Sequence, residues 1–101
     1  MAAVRVVVNF RVKPGKYAEL FEGLKAVKKT VEGLGATVLV NRQAFGPEAG
    51  NIVVVAQYAS WDAFAKVSAD PGFARLLETM RNNPNPPWES VTPVLYEDVA
   101  V

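Results

Sequence analysis

The sequence predicts one α+β domain of the ferredoxin-like type: a four-stranded antiparallel sheet with two helices on one face, in the order strand, helix, strand, strand, helix, strand. Three observations carry this reading. Apolar residues recur at a two-residue period in four segments and at a three-and-four spacing in the segments between them. The elements divide into two βαβ halves of similar length, the pattern of the split βαβ fold. The 101 residues, half of them hydrophobic, suffice for one core and show no linker, low-complexity stretch or short repeat, so positions 1–101 form a single domain.

Each element has a local cause. From Val4 to Val12, the residues Val4, Val6, Val8, Phe10 and Val12 share one face and Arg5, Val7, Asn9 and Arg11 the other, as in a strand. Pro14 and Gly15 interrupt it, and Tyr17, Leu20, Phe21, Leu24, Val27 and Val31 then recur as one face of a helix expected from Gly15 to Leu34. Pro14 suits the first turn of that helix, and Gly33 and Gly35 supply conformations that end it. Ala36 to Phe45 and Asn51 to Ala59 read as a hairpin around the turn-forming stretch Gly46 to Gly50. Ser60 is placed to cap a second helix carrying Trp61, Phe64 and Val67, and Asp70-Pro71 restarts it, with Phe73, Leu76, Leu77 and Met80 continuing the stripe. The second helical region is therefore expected to be kinked or split. Three prolines and three asparagines between Asn82 and Trp88 predict a surface loop, and Val91 to Val99 the last strand, in which Pro93 argues for an edge position or for a strand that begins only after it.

Composition removes several functions. Neither cysteine nor histidine is present, which takes away thiolate chemistry, disulfides and the usual ligands of zinc, heme and non-heme iron. No cofactor is expected. The net charge is +1 and the basic residues are scattered, so neither nucleic acid nor an acidic membrane finds a complementary surface. The stretch MAAVRVVVNF has no charged start, long apolar run and cleavage site, and no segment reaches the length of a membrane span. A cytoplasmic protein is the expectation.

The sheet should also need a cover. Ile52, Val53, Val54, Val55 and Ala56 are apolar on both faces of the third strand, and Val7 and Leu39 add apolar bulk. Burying such side chains is worth about 1.5 to 3 kcal/mol each, so a row left in water would be costly and adhesive. A homodimer joined through the sheet face is the simplest cover; the alternatives are a monomer that tolerates the apolar face or one whose Asn82 to Trp88 loop folds over it.

The order of elements, the Val12-Lys13-Pro14-Gly15-Lys16 lead into the first helix, and Trp61-Asp62-Ala63-Phe64 followed by Asp70-Pro71-Gly72-Phe73 resemble the dimeric α+β barrel superfamily over nearly the whole chain. The likeness is greatest to its small antibiotic-biosynthesis-monooxygenase and NIPSNAP-like members. That resemblance implies two sheets packed face to face and, in each protomer, a cleft between sheet and helices. Asn9 resembles the strand-one asparagine of heme-degrading members. Their helix-two tryptophan and their heme-ligating histidine would fall near Val67 and Leu77, where neither is found. Heme degradation and the histidine-dependent branches are thereby disfavoured.

Among the residues themselves, Arg5, Asn9 and Arg11 share a strand face, so two cations and an amide could hold an anion or a developing enolate. Their alternative is a structural one: arginines at strand ends reaching solvent or pairing with acids of a partner chain, and an asparagine bonded across the dimer. Tyr58, Trp61, Phe64, Phe73 and Trp88 could wall an aromatic pocket, with core packing the plainer explanation for Phe64 and Phe73. Tyr58 and Tyr96 carry hydroxyls suited to a substrate oxygen. The carboxylates Glu19, Glu22, Glu32, Asp62, Asp70 and Glu78 all have helix-surface or capping explanations, so no general base is marked.

Two functions stay open. The resemblance implies a cofactor-independent monooxygenase acting on a phenolic or quinol-like substrate, with Asn9 and Arg11 binding substrate oxygens as catalytic residues and Tyr58 and Trp88 enclosing the ring. The alternative is a non-catalytic module that binds a small apolar or aromatic molecule or serves in interaction.

Overall fold

The computed structural model describes residues 2–101; Met1, the first residue of the stretch weighed as a leader, lies outside them. Along the chain run β1 (Val4–Val12), α1 (Tyr17–Gly33), β2 (Thr37–Arg42), β3 (Ile52–Tyr58), α2 (Trp61–Ser68), α3 (Pro71–Arg81) and β4 (Trp88–Glu97). The strands form one antiparallel sheet in the order β2-β3-β1-β4. This is the expected ferredoxin-like topology, with β1 and β3 central.

The two-residue period of β1 sorts the molecule into an inside and an outside. Val4 and Phe10 are buried, together with their same-face neighbours Ile52, Val54, Ala56 and Tyr58 on β3 and Val38 on β2. Leu20, Leu24 and Val31 of α1 and Val67 of α2 complete this core. Its helical cover is uneven. α1 packs against β2 and α3, and α2 against β3 and α3, while β4 is exposed along nearly its whole length.

Local chemistry sets the helix ends. The Ser60 hydroxyl accepts from the Ala63 amide and the Asp70 carboxylate from that of Phe73, so each short helix has its own cap, and Pro71 follows at a position where no amide is needed. The second helical region is thus split, as its sequence requires. α1 starts two residues later than the apolar spacing suggests, because Gly15 takes φ +76, which a helix does not allow. At its other end Glu32 accepts from the Lys28 ammonium at 2.8 Å and the Val38 amide at 3.4 Å, tying α1 to β2. The Lys28 hydrogen bond, ahead of the Val38 amide, holds the Glu32 carboxyl below its ordinary range despite some desolvation. That contribution is present above the usual glutamate pKa and lost as pH falls through the lowered one.

The last strand differs from expectation at both ends, and it stops at Glu97 rather than Val99. β4 begins at Trp88 rather than Val91, because a register shift lets Trp88 pair with Val12 even though prolines precede it. Pro93 lies opposite Val8 inside the strand, tolerated because β4 is an edge.

The ranking of contributions is testable by denaturant unfolding. Leu20, 1% exposed, should lose about 2 to 5 kcal/mol of stability on replacement by alanine. The cap substitution Asp70→Ala should cost about 1 kcal/mol. A Leu20→Ala effect no larger than that of the cap would contradict a core centred on α1.

Candidate functional site

On the helix side of the sheet, incomplete cover leaves a cleft of about 660 Å³. Its floor includes Val6, Val8, Phe10 and Val54, its helical wall Leu24, Val27, Phe73, Leu77 and Met80, and its β4 side Val91 and Pro93. The stripe of α3 thus faces a space rather than a packed core, and none of its residues is fully buried. Phe64 and Phe73, for which core packing was the plainer expectation, are partly buried and line this cleft.

Tyr58 and Trp88 both line it. Tyr58 is 5% exposed, and its ring meets Phe64 edge-on with centroids 5.3 Å apart. The hydroxyl takes no hydrogen bond from a described residue, yet it is not sealed from solvent. Burial pushes its pKa up, so at neutral pH the group is a donor rather than a base. Trp88 leans on Phe10, ring centroids 5.5 Å apart. The two do not sandwich a single ring. Tyr58 pairs with Val4 and Trp88 with Val12, opposite ends of β1, separated by about 25 Å of strand at the usual rise.

Asn9 and Arg11 lie elsewhere. As odd-numbered residues of β1 they face away from the helices, where Val7, Asn9, Arg11, Pro47, Glu48, Asn51 and Tyr96 help to line a polar depression of about 630 Å³. The Asn9 amide nitrogen donates to Glu48 at 3.3 Å and its oxygen accepts from Asn51 at 2.9 Å. Asn51 also donates to Glu48 at 3.2 Å. Arg11 pairs with Glu89 at 3.1 Å, and Arg5 with Asp98 at 3.0 Å. The four residues expected to form one site are therefore divided between opposite faces of the sheet. The parity of β1 forbids anything else, because Asn9 follows Val8 and precedes Phe10, both of which line the helix-side cleft.

Sequence reasoning passed over two side chains here. Glu48 sits in the hairpin loop, and only folding brings it to Asn9. Arg81 lines the cleft, and its signal was available: it follows Leu77 by four residues and Phe73 by eight, so it shares their helical face. Among the described residues no cluster of acidic side chains could hold a metal ion, and no helix is long and apolar enough to cross a membrane.

No family profile and no curated protein matches the sequence. Solved structures do match in fold. Rv0793 from Mycobacterium tuberculosis is 14% identical with a TM-score of 0.74, over 98% of this chain and 97% of that one. SnoaB from Streptomyces nogalater, a cofactor-independent oxygenase, is 17% identical with a TM-score of 0.73, over 100% and 97%. A NIPSNAP family protein of unknown function from Agrobacterium tumefaciens is 18% identical with a TM-score of 0.62, over 95% and 87%. At these identities the likeness is one of fold. The chain shares its fold with these proteins, in line with the resemblance in its sequence.

The state of Tyr58 can be read by ultraviolet titration. One tyrosine should ionise later than the ordinary value near pH 10, and Tyr58→Phe should remove that late step. Because the unfolded chain ionises first, stability should fall as pH rises past the ordinary value, and less steeply in Tyr58→Phe.

Proposed function

We propose that this protein is a homodimer whose helix-side cleft takes a small apolar, ring-bearing molecule, and that it acts there as a cofactor-independent monooxygenase on phenolic or quinol-like substrates. The observation that carries this reading is the apolar cleft with, at one end, a Tyr58 hydroxyl that makes no hydrogen bond to another described residue. A neutral, buried phenol can donate to a substrate oxygen as that oxygen gains negative charge. An electron-rich phenolate needs no external reductant. The substrate supplies the electrons, one oxygen atom of O2 becomes a carbonyl on the ring, and the other leaves as water with the two hydrogens the phenol gives up, so phenol and O2 yield quinone and water. The fold shared with SnoaB supports the same direction. In this reading Tyr58 and Trp88 serve the cleft, and Asn9 and Arg11 belong to the opposite face.

One observation favours the rival, a non-catalytic binding module: no carboxylate lines the cleft, and the chain has no histidine to serve as a base. Oxygen uptake over a panel of phenols and quinols separates the two. Turnover that falls about a hundredfold in Tyr58→Phe and persists in Asn9→Ala supports the oxygenase. Measurable binding of the same compounds without uptake leaves the binding module alone.

The other face supports the dimer. Leu39, Val55, Val7 and Val94 are cross-strand neighbours and form one apolar row over all four strands, with Leu39 50% and Val94 42% exposed. A second copy laid on this row would remove it from water. Light scattering at micromolar concentration should give twice the 10.9 kDa chain mass, and Val7→Asp should give the single chain. A native protein at 10.9 kDa would rule the dimer out.

A further inference from the structure

The charge around the cleft is one-sided. Among the described residues, Arg81 is the only charged one that lines it. Among the described residues the salt bridges engage Arg5, Arg11, Lys25 and Lys28, and Arg81 has no acidic partner. A basic residue in the last turn of α3 suits the helix dipole, but the dipole does not require it to fall on the apolar stripe with Phe73 and Leu77. A guanidinium there presents a planar fork of donors to any carboxylate or phenolate at the rim, beside walls that weaken screening.

We propose that the cleft selects amphipathic anions, with the apolar body along Phe73 and Leu77 and the single negative group held by Arg81 as the specificity-determining residue. This rests on the reading of the cleft as a ligand site and adds to it the charge of the ligand. A carboxylate and a phenolate meet the same chemistry.

Calorimetric titration with naphthoate and with its methyl ester isolates the charge, since the two probes share their ring system. Native protein should bind naphthoate about tenfold more tightly than the ester, the worth of one charge-assisted contact at a rim, and the preference should shrink as salt is added. Arg81→Gln should abolish the preference while leaving ester binding as it was, and Arg81→Lys should retain part of it. Equal affinity of the native protein for acid and ester, or equal weakening of both in Arg81→Gln, would overturn the assignment of Arg81 while leaving the cleft a ligand site. Binding of neither probe at millimolar concentration would overturn the ligand site itself.

Discussion

The two-residue period of β1 is the constraint on which the rest of this structure depends. β1 is bonded on both sides, to β3 and to β4, so its side chains decide what each row of the sheet does. Val4 and Phe10 anchor the core under α1, whereas Val7, one step out of phase, sits in the apolar row that the helices never reach. A slip of one residue would exchange Arg5, Asn9 and Arg11 with the valines and Phe10, placing two guanidinium groups beneath α1. The even valines and Phe10 make that slip prohibitive, because burying unpaired charge costs far more than one residue of ladder returns. Both surfaces of functional interest inherit their character from this one alternation.

The helix-side cleft has a second cause, the division of the last helical region. A single continuous helix would have packed its stripe along the sheet. The Asp70 cap and Pro71 instead start a new helix, and α3 packs on α1 and α2 while Phe73, Leu77 and Met80 border the space left over Val6, Val8 and Phe10. The polar tie from Lys28 and Glu32 to Val38 holds the far side of α1 down on β2, so the incomplete cover falls toward β4. A capping carboxylate and a proline thus leave cavity where a core would otherwise close.

How much of this was legible follows from how local each cause is. The strand Val4 to Val12 and the caps Ser60 and Asp70 stand where the sequence puts them, because alternation and capping act within a few residues. Pro93 was legible only in part: its missing amide allowed an edge strand or a later start, and the pairing of β4 with β1 selects the edge. Trp88 was not, since its proline-rich neighbours say loop while its pairing with Val12 is a tertiary matter. The site was read less well than the fold. Asn9 and Arg11 were grouped with Tyr58 and Trp88 by chemical type, although the parity of β1 already separated Asn9 from the valines that the helices cover. Glu48 could not have been found, because it reaches Asn9 across 39 residues of chain.

The cleft's chemistry is that of a site able to hold an anion but poorly equipped to create one. Tyr58 is kept protonated by burial, Arg81 cannot accept a proton, and the walls between them are apolar. A substrate that had to be deprotonated by the protein would find no carboxylate or imidazole near it. In the oxygenase reading, then, the molecules that react are those already ionised in appreciable fraction at the working pH. The burden of acidity falls on the substrate, which must be acidic enough to ionise unaided yet still electron-rich enough to reduce O2. The same reasoning holds if no reaction occurs, since a cleft with donors and no acceptor base still discriminates for anions.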